Sequence, residues 1–308
     1  MSYLFSFGLG YTERALSRSL FSKCWGPDGE LLETDCDWSI GGTTRLAAGA
    51  AALRERHYRA VRFSGRYSTT ALLQALEDTT HVLHSIPPDE HGDPVLNVFR
   101  KDIARLPTLE WIGYLSTVGV YGDQEGAWVD EEAPVAPNSE RTHARAEAET
   151  AWLAFGAEIG VPVQIFRLAG IYGPGRSAFE KLRDGTARRI VKPGQVFSRI
   201  HVEDIVTVLE ASIARPRAGA IYNVADDEPA PPDEVIAYAA ELLGVPPPPA
   251  VPFEEADLSP MARSFYQGTR RIGNKRIKSE LGVTLRYPNY REGLAALLSA
   301  LAKPSEGR

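Results

Sequence analysis

Gly8 and Gly10, one residue apart, close an apolar run that starts at Tyr3; Tyr11, Thr12 and a helical pattern carried by Ala15, Leu16 and Leu20 follow at once. A strand that turns directly into a helix aims unpaired backbone N–H groups and the positive helix end at one point. That point suits the pyrophosphate of a dinucleotide. Gly8 permits the tight turn, and Gly10 lets the backbone approach phosphate without an intervening Cβ. The third position of such a fingerprint is normally Gly or Ala, and here it is Glu13. An ordinary first strand–helix unit would share this outline, so both readings stay open on these residues alone. A second signal lies in Gly41-Gly42-Thr43-Thr44-Arg45. An acidic residue at the end of the second strand holds the ribose diol of NAD, whereas a basic one meets a 2′-phosphate. Thr44 and Arg45 therefore point to NADP, with NAD as the alternative.

These groups need a scaffold, and the apolar pattern supplies one. Strands are expected at Trp38–Thr44, Ala60–Phe63, His81–Ile86, Trp111–Ser116 and Val163–Leu168. Helices are expected at Leu46–Arg56, at Ser68–Glu77 with Ser68 or Thr69 as cap, and at Glu140–Ile159. Strands alternating with helices predict an α/β fold whose parallel sheet is covered on both faces. The stretch from Ser22 to Trp38 reads as a surface excursion that delays the second strand. Glycines and prolines from Gly170 to Gly194 mark a crossing to a second lobe, where Pro-rich segments bracket a helix at Asp233–Leu243. The expected organisation is a dinucleotide-binding Rossmann-like, doubly wound domain over 1–168. A small C-terminal substrate lobe over 169–308 interleaves with the last strands and helices.

The 308 residues, 44% apolar and 24% charged, have the composition of a globular protein. A formal net charge of −6 argues against nucleic acid as a partner, and the basic stretch Arg270–Lys278 reads as a solvated helix face. Cys24 and Cys36 are the only cysteines, too few for a disulfide scaffold or a closed zinc site. No bilayer-spanning apolar run and no cleavable leader pattern is visible, so the expectation is a cytoplasmic protein, monomer or homodimer, with a small-molecule substrate.

Three further motifs carry a family resemblance: Tyr114–Asp123 with Ser116-Thr117 and Val120-Tyr121-Gly122, Phe166–Arg176 with Tyr172-Gly-Pro, and Ser198–Ile205 with His201 and Asp204. With the first glycine loop, they resemble the NAD-dependent epimerase/dehydratase family, the extended and atypical short-chain dehydrogenase/reductases. The resemblance implies that the glycine loop binds a dinucleotide beside Ser85, Ile86 and Pro87. It also implies that the C-terminal lobe closes over a substrate that is often a nucleotide sugar, and that Thr117 donates to a substrate oxygen, with Ser116 beside it.

The family's tyrosine, three residues, lysine motif falls on Arg141 and Arg145 when Glu149 is the anchor. The i,i+4 spacing puts both on one helix face. Arg145 can hydrogen-bond ribose hydroxyls, but Arg141 stays protonated and cannot accept a proton as a phenolate does. It can clamp a carboxylate or phosphate instead. A proton carrier must then come from elsewhere, with His201 the first candidate and His143 the second. The competing role for His201 is to tie the substrate loop to Asp204. Ser116, Tyr172, Arg176 and Arg199 are candidate substrate contacts. The expected function is redox-linked, epimerase/dehydratase-like chemistry on a small polar metabolite; the alternative is a catalytically silent dinucleotide-binding sensor or assembly protein.

Overall fold

The computed structural model describes residues 2–22 and 38–302; Cys24, Cys36 and the body of the expected excursion between Ser22 and Trp38 lie outside them. Thirteen strands are described: β1 Ser2–Phe7, β2 Trp38–Thr44, β3 Arg59–Arg62, β4 His81–His84, β5 Trp111–Thr117, β6 Trp128–Val129, β7 Val163–Leu168, β8 Gly170–Tyr172, β9 Arg189–Val191, β10 Arg199–His201, β11 Ile221–Val224, β12 Ala250–Pro252 and β13 Arg271–Ile272. The α-helices are α1 Tyr11–Ser22, α2 Ala47–Arg54, α3 Thr70–Leu76, α4 Pro94–Ile103, α5 Glu140–Ile159, α6 Ala178–Arg183, α7 Val202–Ala214, α8 Pro232–Leu243, α9 Pro260–Ser264, α10 Lys275–Leu281 and α11 Tyr290–Ala302.

The main sheet has seven strands in the order β11-β7-β5-β4-β1-β2-β3. Pairings β1–β2, β1–β4, β2–β3 and β4–β5 are parallel. Phe5, Phe7, Val82, Ile112, Tyr114 and Ile165 pack with Phe99, Trp152 and Phe155 in one apolar cluster. The expected doubly wound parallel sheet is therefore present. Strand order reverses between β1 and β4, and ligands of such sheets bind at the carboxyl ends of the strands flanking that reversal.

The chain forms two compact units, each assembled from three segments: 1–120, 139–167 and 208–222 in the first, and 121–138, 168–207 and 223–308 in the second. In the first, β2 lies unusually close to its surroundings. A Cβ on Gly42 would stand 2.4 Å from the Ser6 carbonyl oxygen and 2.8 Å from Leu9 Cγ; one on Gly41 would stand 2.1 Å from the Tyr3 hydroxyl. Thr69 caps α3 by accepting from the Leu72 amide.

α4 was not among the expected elements. Asp93 is its N-cap, accepting from the amides of Val95 and Leu96 at 2.9 and 3.0 Å, and Pro94 occupies the first turn, where its missing N–H costs nothing. In the second unit, the stretch expected as a Gly/Pro crossing carries β8, α6 and β9, and Ser177 with Glu180 forms a capping box at α6. Tyr172, Phe179, Val235, Tyr290 and Leu294 form that unit's core.

Candidate active site

The site in the first unit is built at the reversal between β1 and β4. β1 ends at Phe7, and Gly8 follows at φ +93°, a left-handed conformation that favours glycine. A Cβ there would stand 3.0 Å from Ser85 Oγ and 3.2 Å from Ile86 Cγ1. The turn is fastened from two sides. Gly8 N–H donates to Thr43 Oγ1 and Leu9 N–H to the Thr43 carbonyl, at 2.9 and 2.7 Å. Ser85 N–H donates to the Phe7 carbonyl, and Ser85 Oγ donates to the Gly8 carbonyl at 3.2 Å. Gly8, Ser85 and Ile86 thus meet, with Gly10, Tyr11 and Thr12 opening α1 beside them. Pro87 is exposed on the following turn.

Glu13, the departure from the glycine fingerprint, lies in this cradle. It is buried, and Oε2 lies 3.0 Å from where a Gly10 Cβ would be. Burial pushes its carboxyl up to about 7, against the pull of the Ser85 hydroxyl, the amides of Glu13 and Gly10, and the Arg14 charge. Oε1 has no hydrogen-bond partner. The glycine backbone of this turn is of the kind that admits a dinucleotide pyrophosphate, and the Glu13 side chain lies over Gly10 within it. The sequence marks Glu13 as unusual but not that its carboxyl folds back over Gly10.

At the carboxyl end of β5, Thr117 Oγ1 accepts from Gly119 N–H at 3.0 Å. A Cβ on Gly119 would lie 3.2 Å from Thr142 Cγ2, so the first turn of α5 closes onto Thr117. Arg141, one residue before Thr142, is exposed, as is His143. Arg145 reaches back to β5, donating to the Tyr114 hydroxyl at 2.8 Å and the Leu115 carbonyl at 3.1 Å. Ser116 turns inward instead, donating to Glu149, which Arg167 grips through Nε and Nη2. The hydroxyl expected at the substrate is thereby engaged in a buried structural network, which sequence could not show because its partners come from α5 and β7.

The second unit carries the other candidates. His201 is buried, its Nδ1 accepting from Glu203 N–H while Nε2 has no partner. Its ring lies between Tyr172 and Tyr287, at 5.1 and 4.1 Å between centroids. Burial brings its pKa down to about 4, outweighing Glu203. The expected tie from His201 to Asp204 is not formed: Asp204 instead accepts from the amides of Arg286 and Tyr287. A neutral imidazole with this pKa is also a poor proton carrier at neutral pH. Tyr172, expected at the substrate, is buried in the unit's core, its hydroxyl reaching the Asn289 carbonyl at 3.4 Å. Arg199 donates to the carbonyls of Phe197 and Ala230, and Arg176 is exposed.

Nothing in the local sequence marks Asp226 as special. It is fully buried, with Oδ2 unpartnered, and burial pushes it up to about 8 against Arg199.

The model of the NAD dependent epimerase/dehydratase family matches residues 96–225. Over that stretch the chain is similar to the family. A solved structure described as a functionally unknown conserved protein from Silicibacter pomeroyi is 50% identical, with a TM-score of 0.85 over 98% of this chain and 100% of that one. Protein YeeZ of Escherichia coli (strain K12) is 31% identical over 57% of this chain, which spans only 58% of that relative's length. dTDP-glucose 4,6-dehydratase from Bacillus anthracis, solved with NAD, shares the fold at a TM-score of 0.75 and 18% identity, over 99% and 98% of the two chains.

The expectation of NADP is corrected here. The similar solved structures that name a dinucleotide name NAD. Arg45, on which NADP rested, is an exposed residue past the end of β2, and its carbonyl accepts from Arg62. An exposed arginine at this point is no measure of a 2′-phosphate contact.

Proposed function

We propose that this chain is an NAD-binding, epimerase/dehydratase-like enzyme that acts on a sugar or nucleotide-sugar metabolite. The observation that carries the reading is the Gly8 turn, fastened to Thr43 and Ser85 at the strand-order reversal. Gly8, Gly10, Tyr11, Thr12, Ser85 and Ile86 are the residues that would hold NAD, with Arg145 near the nicotinamide ribose. NAD, when bound, supplies hydride exchange. Thr117 is the hydroxyl donor to a substrate oxygen. Arg141, always cationic, binds an anionic part of the substrate.

A second reading, a catalytically silent NAD-binding sensor or assembly protein, is favoured by one observation. The first candidate proton carrier is not poised for the work: His201 is a buried neutral ring between two tyrosines, and Arg141 cannot accept a proton in its place.

Calorimetry with NAD, followed by single-turnover absorbance of the bound cofactor across a nucleotide-sugar panel, tests both readings. The enzyme reading expects turnover that Thr117→Ala lowers about a hundredfold or more without weakening NAD binding. NAD binding with no turnover on any substrate favours the silent binder. Absence of NAD binding at millimolar concentration overturns both.

A further inference from the structure

A helix N-terminus at a strand-order reversal is a place for an anion, and in this chain an anion-forming side chain already sits there. Gly10 stands at the N-cap of α1, which makes Glu13 its third residue, the position from which a glutamate can reach back to the capping amide. The carboxyl does so here, drawn by the amides of Gly10 and Glu13 and by the Ser85 hydroxyl. These are groups of the turn that a pyrophosphate would use. Its Oε1, buried without a partner, shows that the capping turn does not satisfy both oxygens. The charge acting on it is that of Arg14 on its own helix, while the turn after β4 faces it with the uncharged Ser85.

We propose that Glu13 is a built-in competitor for the dinucleotide pyrophosphate: its carboxyl fills the amide-lined cradle of the free protein and must take up a proton before NAD binds. The inference rests on the NAD-binding reading above and adds a control to it. A carboxylate and a pyrophosphate in one dry cradle repel each other, whereas a carboxylic acid can donate to a phosphate oxygen. Binding above the midpoint of Glu13 therefore takes up a proton from solvent, and affinity falls as the pH rises. The midpoint of about 7 puts this change in the neutral range.

NAD titrations of the full chain by calorimetry test the proposal, in wild type, Glu13→Gln and Glu13→Gly. For wild type, affinity should fall roughly thirtyfold between about pH 6 and about pH 8.5, as a single ionisation of this midpoint requires. Paired buffers of different ionisation enthalpy should show uptake of a proton at the alkaline end. Glu13→Gln, which keeps the shape without the charge, should be flat with pH, and Glu13→Gly should bind more tightly than wild type throughout. Carbon-13 NMR of the Glu13 carboxyl adds a readout that needs no turnover, since NAD should move its midpoint upward.

Wild-type binding that is flat with pH and equal to that of both variants overturns the proposal and leaves the NAD site standing. A glutamine variant that titrates like wild type overturns it as well, by placing the ionisation elsewhere. Failure of all three cooperatively folded proteins to bind NAD at any pH overturns the NAD-site reading, and the proposal with it.

Discussion

Asp226 and His201 are buried ionisable residues whose titrations act on stability with opposite sign. Burial raises Asp226 from an ordinary 3.8 to about 8, so the neutral form is the one the fold accepts. Stability from this residue is complete below the unfolded value and is lost as the pH climbs from there through about 8. His201 is depressed from 6.5 to about 4, so its contribution is complete above 6.5 and is lost as the pH falls toward 4. Asp226→Asn keeps the shape and removes the charge. The variant should exceed wild type by roughly 2–4 kcal/mol near pH 8, with the gap closing toward pH 4. Urea unfolding at the two pH values measures it, and a gap that does not change with pH would show that Asp226 is not the titrating group. Neither residue's state was legible in the sequence, because burial is decided by elements distant along the chain. Glu149 and Arg167 teach the same lesson: both belong to recognised motifs, yet only the packing of α5 against β5 and β7 makes them an ion pair that also captures Ser116.

Among the elements, the long ones were plain and the short or proline-led ones were not. α5 and β7 match their expected spans, since Ser139 and Gly160 mark the two ends of a twenty-residue helix and the apolar residues of β7 follow it directly. α4 was hidden behind Pro87-Pro88, although Asp93-Pro94 is a start signal of the usual kind. Asp93 does more than cap. Its Oδ2 accepts from His84 Nε2 at 2.8 Å and from the Trp152 indole at 3.1 Å, tying α4 to β4 and α5. Burial alone would raise this carboxyl, but His84, the Leu96 amide and Trp152 hold it below its ordinary value. Asp93→Ala removes the cap and leaves two buried donors unpaired, at a cost of about 3–5 kcal/mol. Asp93→Asn, which keeps Oδ1 for the cap, should cost about half as much. Guanidinium unfolding of both distinguishes them, and equal losses would assign the whole effect to the contacts made by Oδ2.

For the whole molecule, the parallel sheet was legible because strand and helix segments alternate along the chain. The cofactor was less so: Arg45 suggested a 2′-phosphate, whereas the similar solved structures that name a dinucleotide name NAD. A solvated side chain past a strand end is a weak reporter, because its reach covers more than one ligand atom. Among the described residues no helix is long and apolar enough to cross a membrane. The two compact units each draw on three stretches of chain, so neither corresponds to a single continuous segment.

The closeness of β1 to β2 bears on how this protein can change over time. The void at position 42 is bounded by the Ser6 carbonyl, part of the backbone, and no neighbouring rotamer can open it. At position 41 the obstacle is the Tyr3 hydroxyl, held by a 2.6 Å bond to the Ala75 carbonyl, and a smaller residue at position 3 would remove it. In a saturation library selected for folded protein, position 42 should therefore retain glycine alone. Position 41 should accept alanine only in clones that have also lost the tyrosine. One site is frozen and its neighbour is free to drift in company, which gives adjacent identical residues different evolutionary histories.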